Sequence, residues 1–377
     1  MQTKKSKALI NDEHLNYIAI ILFNLTDWFF CLIIATHFTI ILLRVLMYKL
    51  NKIFLCVSII LGYSSIANAN IINTNGAGVQ KNPNGSTIVN INKASEKGVS
   101  HNVYNVFDVD KNGVILNNSA TNSNTTLSGN VAGNSNLSSG SAKVILNEVN
   151  SNRASAINGM IEVAGDKAQV IIANPSGITC NSCGFINTER ATLTTGRIVN
   201  SFNGEISGYN VDRGTIVING SMKSDSPTDI ISRSVSVRGK IEAAKQLTVI
   251  AGSNFVDRDN QYTTPIRPAG SSAKYGIDVS SLGGMYSDKI TLITTDRGVG
   301  VSNNGNISAN IDGLSLTTTG PVLNQNGNIK SSGDILIDTN STVTNYSNII
   351  SDGGNITLNT KADLYNLNGN ISAKNNV

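Results

Sequence analysis

The sequence predicts an all-β chain wound as a β-solenoid, preceded by a hydrophobic signal region. Three observations carry this reading. Residues 70–377 are rich in Asn, Ser, Thr, Gly, Val and Ile, while aromatic residues make up only 5% of the chain, and no stretch keeps a helical period with helix formers. The Val/Ile runs recur between polar turns too regularly for a disordered chain. Near the end, four columns repeat every 21 residues: Val301, Val322, Val343 and Leu364; Asn303, Asn324, Asn345 and Asn366; Leu314, Ile335 and Ile356; Leu316, Ile337 and Leu358. A unit this short cannot bury its own apolar face, so units must stack. The aliphatic columns then fill the interior, and the Asn column forms a hydrogen-bonded ladder at a turn. At about 4.8 Å per layer, residues 70–377 correspond to roughly 14–15 coils and a rod of about 70 Å.

The first 69 residues differ in kind. Residues 17–46 are largely apolar, interrupted by Asp27, His37 and Arg44, and are long enough to span a bilayer. A second apolar run, Ile53 to Leu61, follows Met47, Lys49 and Lys52 and precedes Ala67-Asn68-Ala69. Basic start, short apolar core and a small-x-small site make 47–69 a secretory signal peptide, with cleavage after Ala69 and Asn70 as the new N-terminus. Residues 1–46 are then either an extended signal or sequence upstream of a true start at Met47. The competing reading is a membrane anchor, against which Asp27 stands well inside the run.

Removing this segment removes the basic bias. Six of the 29 basic and three of the 25 acidic residues lie in 1–69, which leaves 23 and 22. A near-neutral chain gives no case for nucleic acid as a partner. Cys31, Cys56, His14 and His37 also leave, so Cys180, Cys183 and His101 remain.

Residues 82–118 hold turn material and strands. Asn82-Pro83-Asn84-Gly85 reads as a plain β-turn. Asp108-Val109-Asp110-Lys111-Asn112-Gly113 opens like a calcium loop, but such a loop needs a Glu at its twelfth position, which is Ser119 here. A polar hairpin turn fits better. Residues 121–143 are almost purely Asn, Ser, Thr, Gly and Ala. Ile161, Val163 and Val170–Ile172 read as strands, and Ala173-Asn174-Pro175-Ser176-Gly177 as a tight turn, with φ fixed at Pro175 and free to be positive at Gly177. From 228 to 300, further strands and turns alternate, and residues 256–275 form a polar loop outside the repeat.

Chemistry is sparse. Zinc needs about four ligands, and two Cys and one His are on offer. A redox CxxC belongs at a helix start in a βαβ context, whereas Cys180-Asn181-Ser182-Cys183 lies among strands. A local disulfide fits an exported protein; its tiny loop limits it to about 2 kcal/mol, a clasp on one turn. His101 has no nucleophile or orienting acid named by the sequence and reads as a loop hydrogen-bonding residue. Asp212-Arg213-Gly214 and Asp296-Arg297-Gly298 read as turns. No catalytic residue, metal site or cofactor is expected.

Residues 144–199 resemble the secretion domain of the filamentous-haemagglutinin and haemolysin family, the exoproteins of bacterial two-partner secretion. The match is carried by Asn147-Glu148-Val149, Glu162-Val163-Ala164-Gly165, Ala173 to Ile178, Cys180 to Thr188 and Thr192 to Gly196. The resemblance implies a right-handed parallel β-helix, with the secretion domain at 70–300 and the start of haemagglutinin repeats at 301–377. It implies secretion motifs at Asn134-Ser135-Asn136-Leu137 and Asn174-Pro175-Ser176-Gly177-Ile178. Ser135 stands where the family has Pro, and Ser176 where it has Asn; both are turn residues, so both turns are expected to survive.

The implied function is that of a non-enzymatic exoprotein, an adhesin or haemagglutinin, or its N-terminal part. Its partners are the general secretory machinery and a cognate outer-membrane transporter, and its destination is the medium or the bacterial surface. The cell-surface receptor is left open. The alternatives are the N-terminal part of a haemolysin or of a contact-dependent growth-inhibition toxin, and, more remotely, a β-helical polysaccharide-degrading enzyme. The chain stops inside a repeat at Val377 without an evident capping coil, so it is expected to be a truncated product or a fragment from which the effector part is missing.

Overall fold

The computed structural model describes residues 70–377, which form a parallel β-solenoid of about twelve turns. The signal-peptide, anchor and start-site expectations for 1–69, including Ala67 and Ala69, lie outside the described residues. Three stacked sheets make the walls: a first sheet of 11 strands, a second of 12 and a third of nine. From Ser155 onward the chain cycles through the third, second and first sheets in turn, as in Ile178–Cys180, Cys183–Ile186 and Thr188–Thr194.

Side-chain alternation explains the walls. In the C-terminal coils the strand Ile335–Thr339 points Ile335, Ile337 and Thr339 inward and Leu336 and Asp338 to water. In Gln246–Ala251 the pattern is different, with five consecutive buried residues. Leu247, Val249 and Ala251 face the solenoid interior, while Ile250 belongs to a second apolar cluster on the outside of the first sheet. Continuous burial thus marks a strand covered on both faces.

The outer cover is a four-stranded antiparallel sheet in the order Arg197–Asn200, Ile206–Val211, Asn254–Asp257, Thr263–Pro265. Both hairpins leave the solenoid at the same corner, after a first-sheet strand and before a third-sheet strand. They fold back so that Ile206, Tyr209, Val211 and Val256 pack on Val144, Leu146, Ile171, Ile231 and Ile250.

Three expectations are corrected, two of them by these insertions. The coil number falls from 14–15 to about twelve, because the 21-residue period holds only at the C-terminal end. First-sheet partners Ala191 and Thr228 are 37 residues apart, and Leu247 and Ile290 are 43 apart, since each interval carries a hairpin. Residues 256–275 are not only a loop: Thr263–Pro265 is paired to Asn254–Val256. Lastly, the turn after Asp108 joins no hairpin. Val99–Phe107 lies in the first sheet and Val114–Asn118 in the second, so Asp110-Lys111-Asn112-Gly113 turns a corner between walls.

The N-terminal end is closed by antiparallel strands. Ile71–Asn73 pairs with Val99–Phe107, and Gly78–Lys81 with Thr87–Asn90 through the Asn82–Gly85 turn, whose Gly85 N–H donates to the Asn82 carbonyl at 2.9 Å.

Candidate functional site

The two predicted motifs are built alike, each around one buried asparagine. Asn134 caps a short 3-10 turn, Ser135–Leu137, and its Oδ1 accepts the Asn136 N–H at 3.0 Å. Its Nδ2 donates to the carbonyls of Ile91 (2.9 Å) and Asn117 (3.0 Å), in earlier parts of the chain. Leu137 drops into the core, Asn136 donates to the same Ile91 carbonyl, and Ser135 faces solvent. Asn174 repeats the plan. Its Oδ1 accepts the Ser176 N–H at 2.9 Å, and its Nδ2 donates to Arg153 O (2.9 Å) and Ser155 Oγ (3.0 Å). Gly177 sits at φ +113°, a backbone geometry that L side chains rarely adopt, and its N–H closes the turn onto Asn174 O at 3.0 Å. Pro175 is half-buried, and Ile178 opens the next third-sheet strand.

The Ser176 departure keeps a bond between coils, because its Oγ donates to Ser151 O at 3.0 Å. In both turns the amide oxygen shapes the local loop and the amide nitrogen reaches back to chain already laid down. A small amide buried at a corner can do both at once, with two donors and an acceptor on one short stem.

Cys180 and Cys183 are joined in a disulfide with Cα atoms 5.4 Å apart. The bridge spans the corner from the third sheet to the second, with both cysteines buried. Asn181 in that corner links to Asn158 (2.8 Å) and to Asn219 (2.9 Å), a short amide ladder that sequence reading missed because its spacings of 23 and 38 are unequal. The C-terminal ladder runs with 21-residue steps: Asn303 donates to Asn324 (2.9 Å), Asn324 to Asn345 (2.7 Å) and Asn345 to Asn366 (2.8 Å).

Two covering elements flank the motifs. The small hairpin Ser123–Thr125/Gly129–Val131 lies over the second sheet, with Val131 and Leu127 packed on Ile88, Ile115 and Ala164. Glu162, buried in the second sheet, pins it by accepting the N–H groups of Thr126 (2.6 Å) and Leu127 (2.8 Å). The four-stranded cover is held by Asp229, which takes Arg190 Nε (2.6 Å), Thr192 Oγ1 (3.0 Å) and Asn260 Nδ2 (2.8 Å). No spacing rule connects these distant residues.

His101 lies on the strand Val99–Phe107 rather than in a loop, and its Nε2 is 2.7 Å from Glu148 Oε2 on the neighbouring strand. The Asp212 carboxyl is pushed up by partial burial, but hydrogen bonds and charge from Arg213 and Arg197 outweigh this and hold it below the usual carboxylate range. Among the described residues, no three His, Cys, Asp or Glu side chains gather as metal ligands.

A parallel solenoid closed at its N-terminal end, with asparagine-pinned turns and outer covers, defines the class: the secretion domain of an exoprotein exported by a transporter. The chain belongs to the TPS secretion domain family, whose sequence model matches residues 64–309. It is 50% identical over 231 residues to "Toxin CdiA" of Yersinia pestis, which covers 60% of this chain and 7% of that protein. It is 44% identical over 230 residues to "tRNA nuclease CdiA-2" of Burkholderia pseudomallei, again 60% of this chain and 7% of the relative. The crystal structure of the filamentous hemagglutinin secretion domain superposes with a TM-score of 0.59 at 26% identity, covering 80% of this chain and 99% of that one. The chain thus spans a small fraction of the length of these curated relatives.

Proposed function

We propose that residues 70–300 are recognised by the periplasmic part of a cognate outer-membrane β-barrel, which passes the chain outward after the general secretory pathway has delivered it and the signal has been removed at Asn70. The observation that carries this reading is the pair of asparagine turns at 134–137 and 174–178 within the matched region. Asn134, Leu137, Asn174 and Gly177 are buried or engaged in closing their turns, which supports a shaping role for the motif residues and leaves recognition to outer surfaces.

The fold suits this route. Coils contact mainly their neighbours, so folding can begin on the first emerging segment and propagate. Coil addition outside then biases transport outward without a nucleotide. The test is expression with and without the neighbouring transporter, followed by N-terminal sequencing of protein in the medium. Transporter-dependent release beginning at Asn70 is the expected result. Retention in the cell with residues 17–46 attached would reject it.

Beyond secretion, the repeats at 301–377 support an adhesive shaft. A second reading is favoured by one observation: relatives 42–50% identical over the secretion region bear toxin or nuclease names. On that reading the chain is the N-terminal part of a contact-dependent growth-inhibition toxin, and any enzymatic activity belongs to sequence it does not share with these residues. Co-culture of producing and non-producing cells separates the two, since only the toxin reading predicts loss of the non-producers.

A further inference from the structure

The covers and the N-terminal closure leave several free strand edges, and these differ in what they offer. Ile71–Asn73 is three residues long. Gly78–Lys81 begins with glycine and ends with a lysine held 3.2 Å from Asp110. Thr263–Pro265 ends in a proline, which has no N–H to donate. Short strands, charge and proline are the ordinary means of blunting an edge.

Arg197–Asn200 carries its charge only at its first residue, where Arg197 is tied to Asp212 at 3.1 Å, and its register shift only at its last, between Val199 and Asn200, so that Ile198 and Val199 form an uncharged middle. It is the outermost strand of the four-stranded cover and pairs on one side only, with Ile206–Val211. Alternate N–H and C=O groups along it therefore face away from the sheet. Ile198 and Val199 are both part-exposed.

The turn that follows presents Phe202 at 115% relative exposure, the highest of the large apolar residues described. This turn is built rather than slack. Ser201 N–H donates to Glu205 O at 2.8 Å, and Gly204 N–H to Ser201 O at 3.0 Å with Gly204 at φ +82°. Asn203 Nδ2 donates to Glu205 Oε2 at 3.1 Å, and its Oδ1 accepts the Glu205 N–H at 3.1 Å. Glu205 also faces Lys97 at 3.8 Å, on the turn before Val99–Phe107. An aromatic side chain held in water by a pre-formed turn has the make-up of an interface anchor, since little ordering remains to be done on binding.

We infer that Arg197–Asn200 and Phe202 form a docking edge for an extended strand of the transporter's periplasmic domain. The main chain would continue the antiparallel sheet, and Phe202 would fill an apolar pocket beside that strand. The inference rests on the secretion reading above. It also suits a chain that has not finished coiling. The bonds of the 201–205 turn are local, so the hairpin 197–211 can form before Asn254–Asp257 joins it, and a strand supplied by the partner stabilises it in the meantime.

The test uses the full chain co-expressed with its transporter. A photo-crosslinking amino acid is placed at position 200 or 202, and Phe202→Ser and Phe202→Leu are compared for release. The expected results are crosslinks to the transporter, about a tenfold fall in release for Phe202→Ser, near-normal release for Phe202→Leu, and an unchanged unfolding midpoint for released Phe202→Ser. Normal release of Phe202→Ser without a transporter crosslink overturns the inference, as does a crosslink to a second copy of the chain. Wild-type release that needs no transporter would instead sink the secretion reading itself.

Discussion

Asn174 occupies the position where one side chain serves two coils, and its removal should be felt in both. Asn174→Ala leaves the Ser176 N–H, Arg153 O and Ser155 Oγ without this partner, at a corner where Asn174 and Ser155 are buried and Ser176 is half-buried. We expect a loss of about 2–4 kcal/mol by denaturant unfolding; an unchanged midpoint would show that the corner relaxes and that the turn is not a structural pin. Ser135 leads to the opposite expectation. It is the first residue of a 3-10 turn, its N–H donates to no group among the described residues, and Asn134 before it has the extended φ −86°, ψ 110° that a following proline requires. Ser135→Pro should therefore stabilise by about 0.4–1 kcal/mol, read as a raised unfolding midpoint with secretion intact.

The covers behave as separate elements because each is held by few polar ties. Glu162 accepts two backbone N–H groups of the hairpin at 123–131. Glu162→Ala should weaken that hairpin by about 1.5–3 kcal/mol, the range for bonds to a charged group. Faster hydrogen exchange confined to 123–131 is the expected signature; a uniform change across the solenoid would refute the element-level account. Asp212 ties the exit of the hairpin 197–211 to Arg197 and Arg213. Its folded-state carboxyl lies below its unfolded value, so its contribution is present above the ordinary aspartate range and is lost as pH falls through the lower, folded value. Exchange at 197–211 should accelerate on acidification through that window in the wild type, and Asp212→Asn should flatten this pH dependence.

At the scale of the molecule, stability is a sum over coils and their interfaces. Val322 pairs with Val301 below and Val343 above, and Asn324 with Asn303 and Asn345. Deleting residues 322–342 removes one 21-residue coil and sets Val343 beside Val301 in register. That variant should still unfold cooperatively. Deleting 322–341 instead slips the columns by one residue and turns inward side chains outward, so the chain beyond 321 should become protease-sensitive. Equal behaviour of the two deletions would mean that the columns do not set the register.

Much of this was legible in the chain. The columns at 301–366, the turn at 173–177 and the alternating Val/Ile runs depend on local spacing and on glycine and proline chemistry, which act within a few residues or at a fixed period. By themselves they determined an all-β stacked coil. The long match through 144–199 determined the secretion family. Other features were decided only in three dimensions. The run Leu247 to Ala251, buried throughout and broken only by Thr248, does not reveal which neighbour buries its outer face. The cover arises because hairpins at 197–211 and 254–265 leave one corner two coils apart and meet on the same wall. The ties Glu162 to Thr126, Asp229 to Asn260 and Asn134 to Ile91 join residues 31 to 43 positions apart at no common period. Sequence periodicity reports what repeats from coil to coil. Insertions break the period, and where they land is fixed by which apolar face remains uncovered once the coils have stacked.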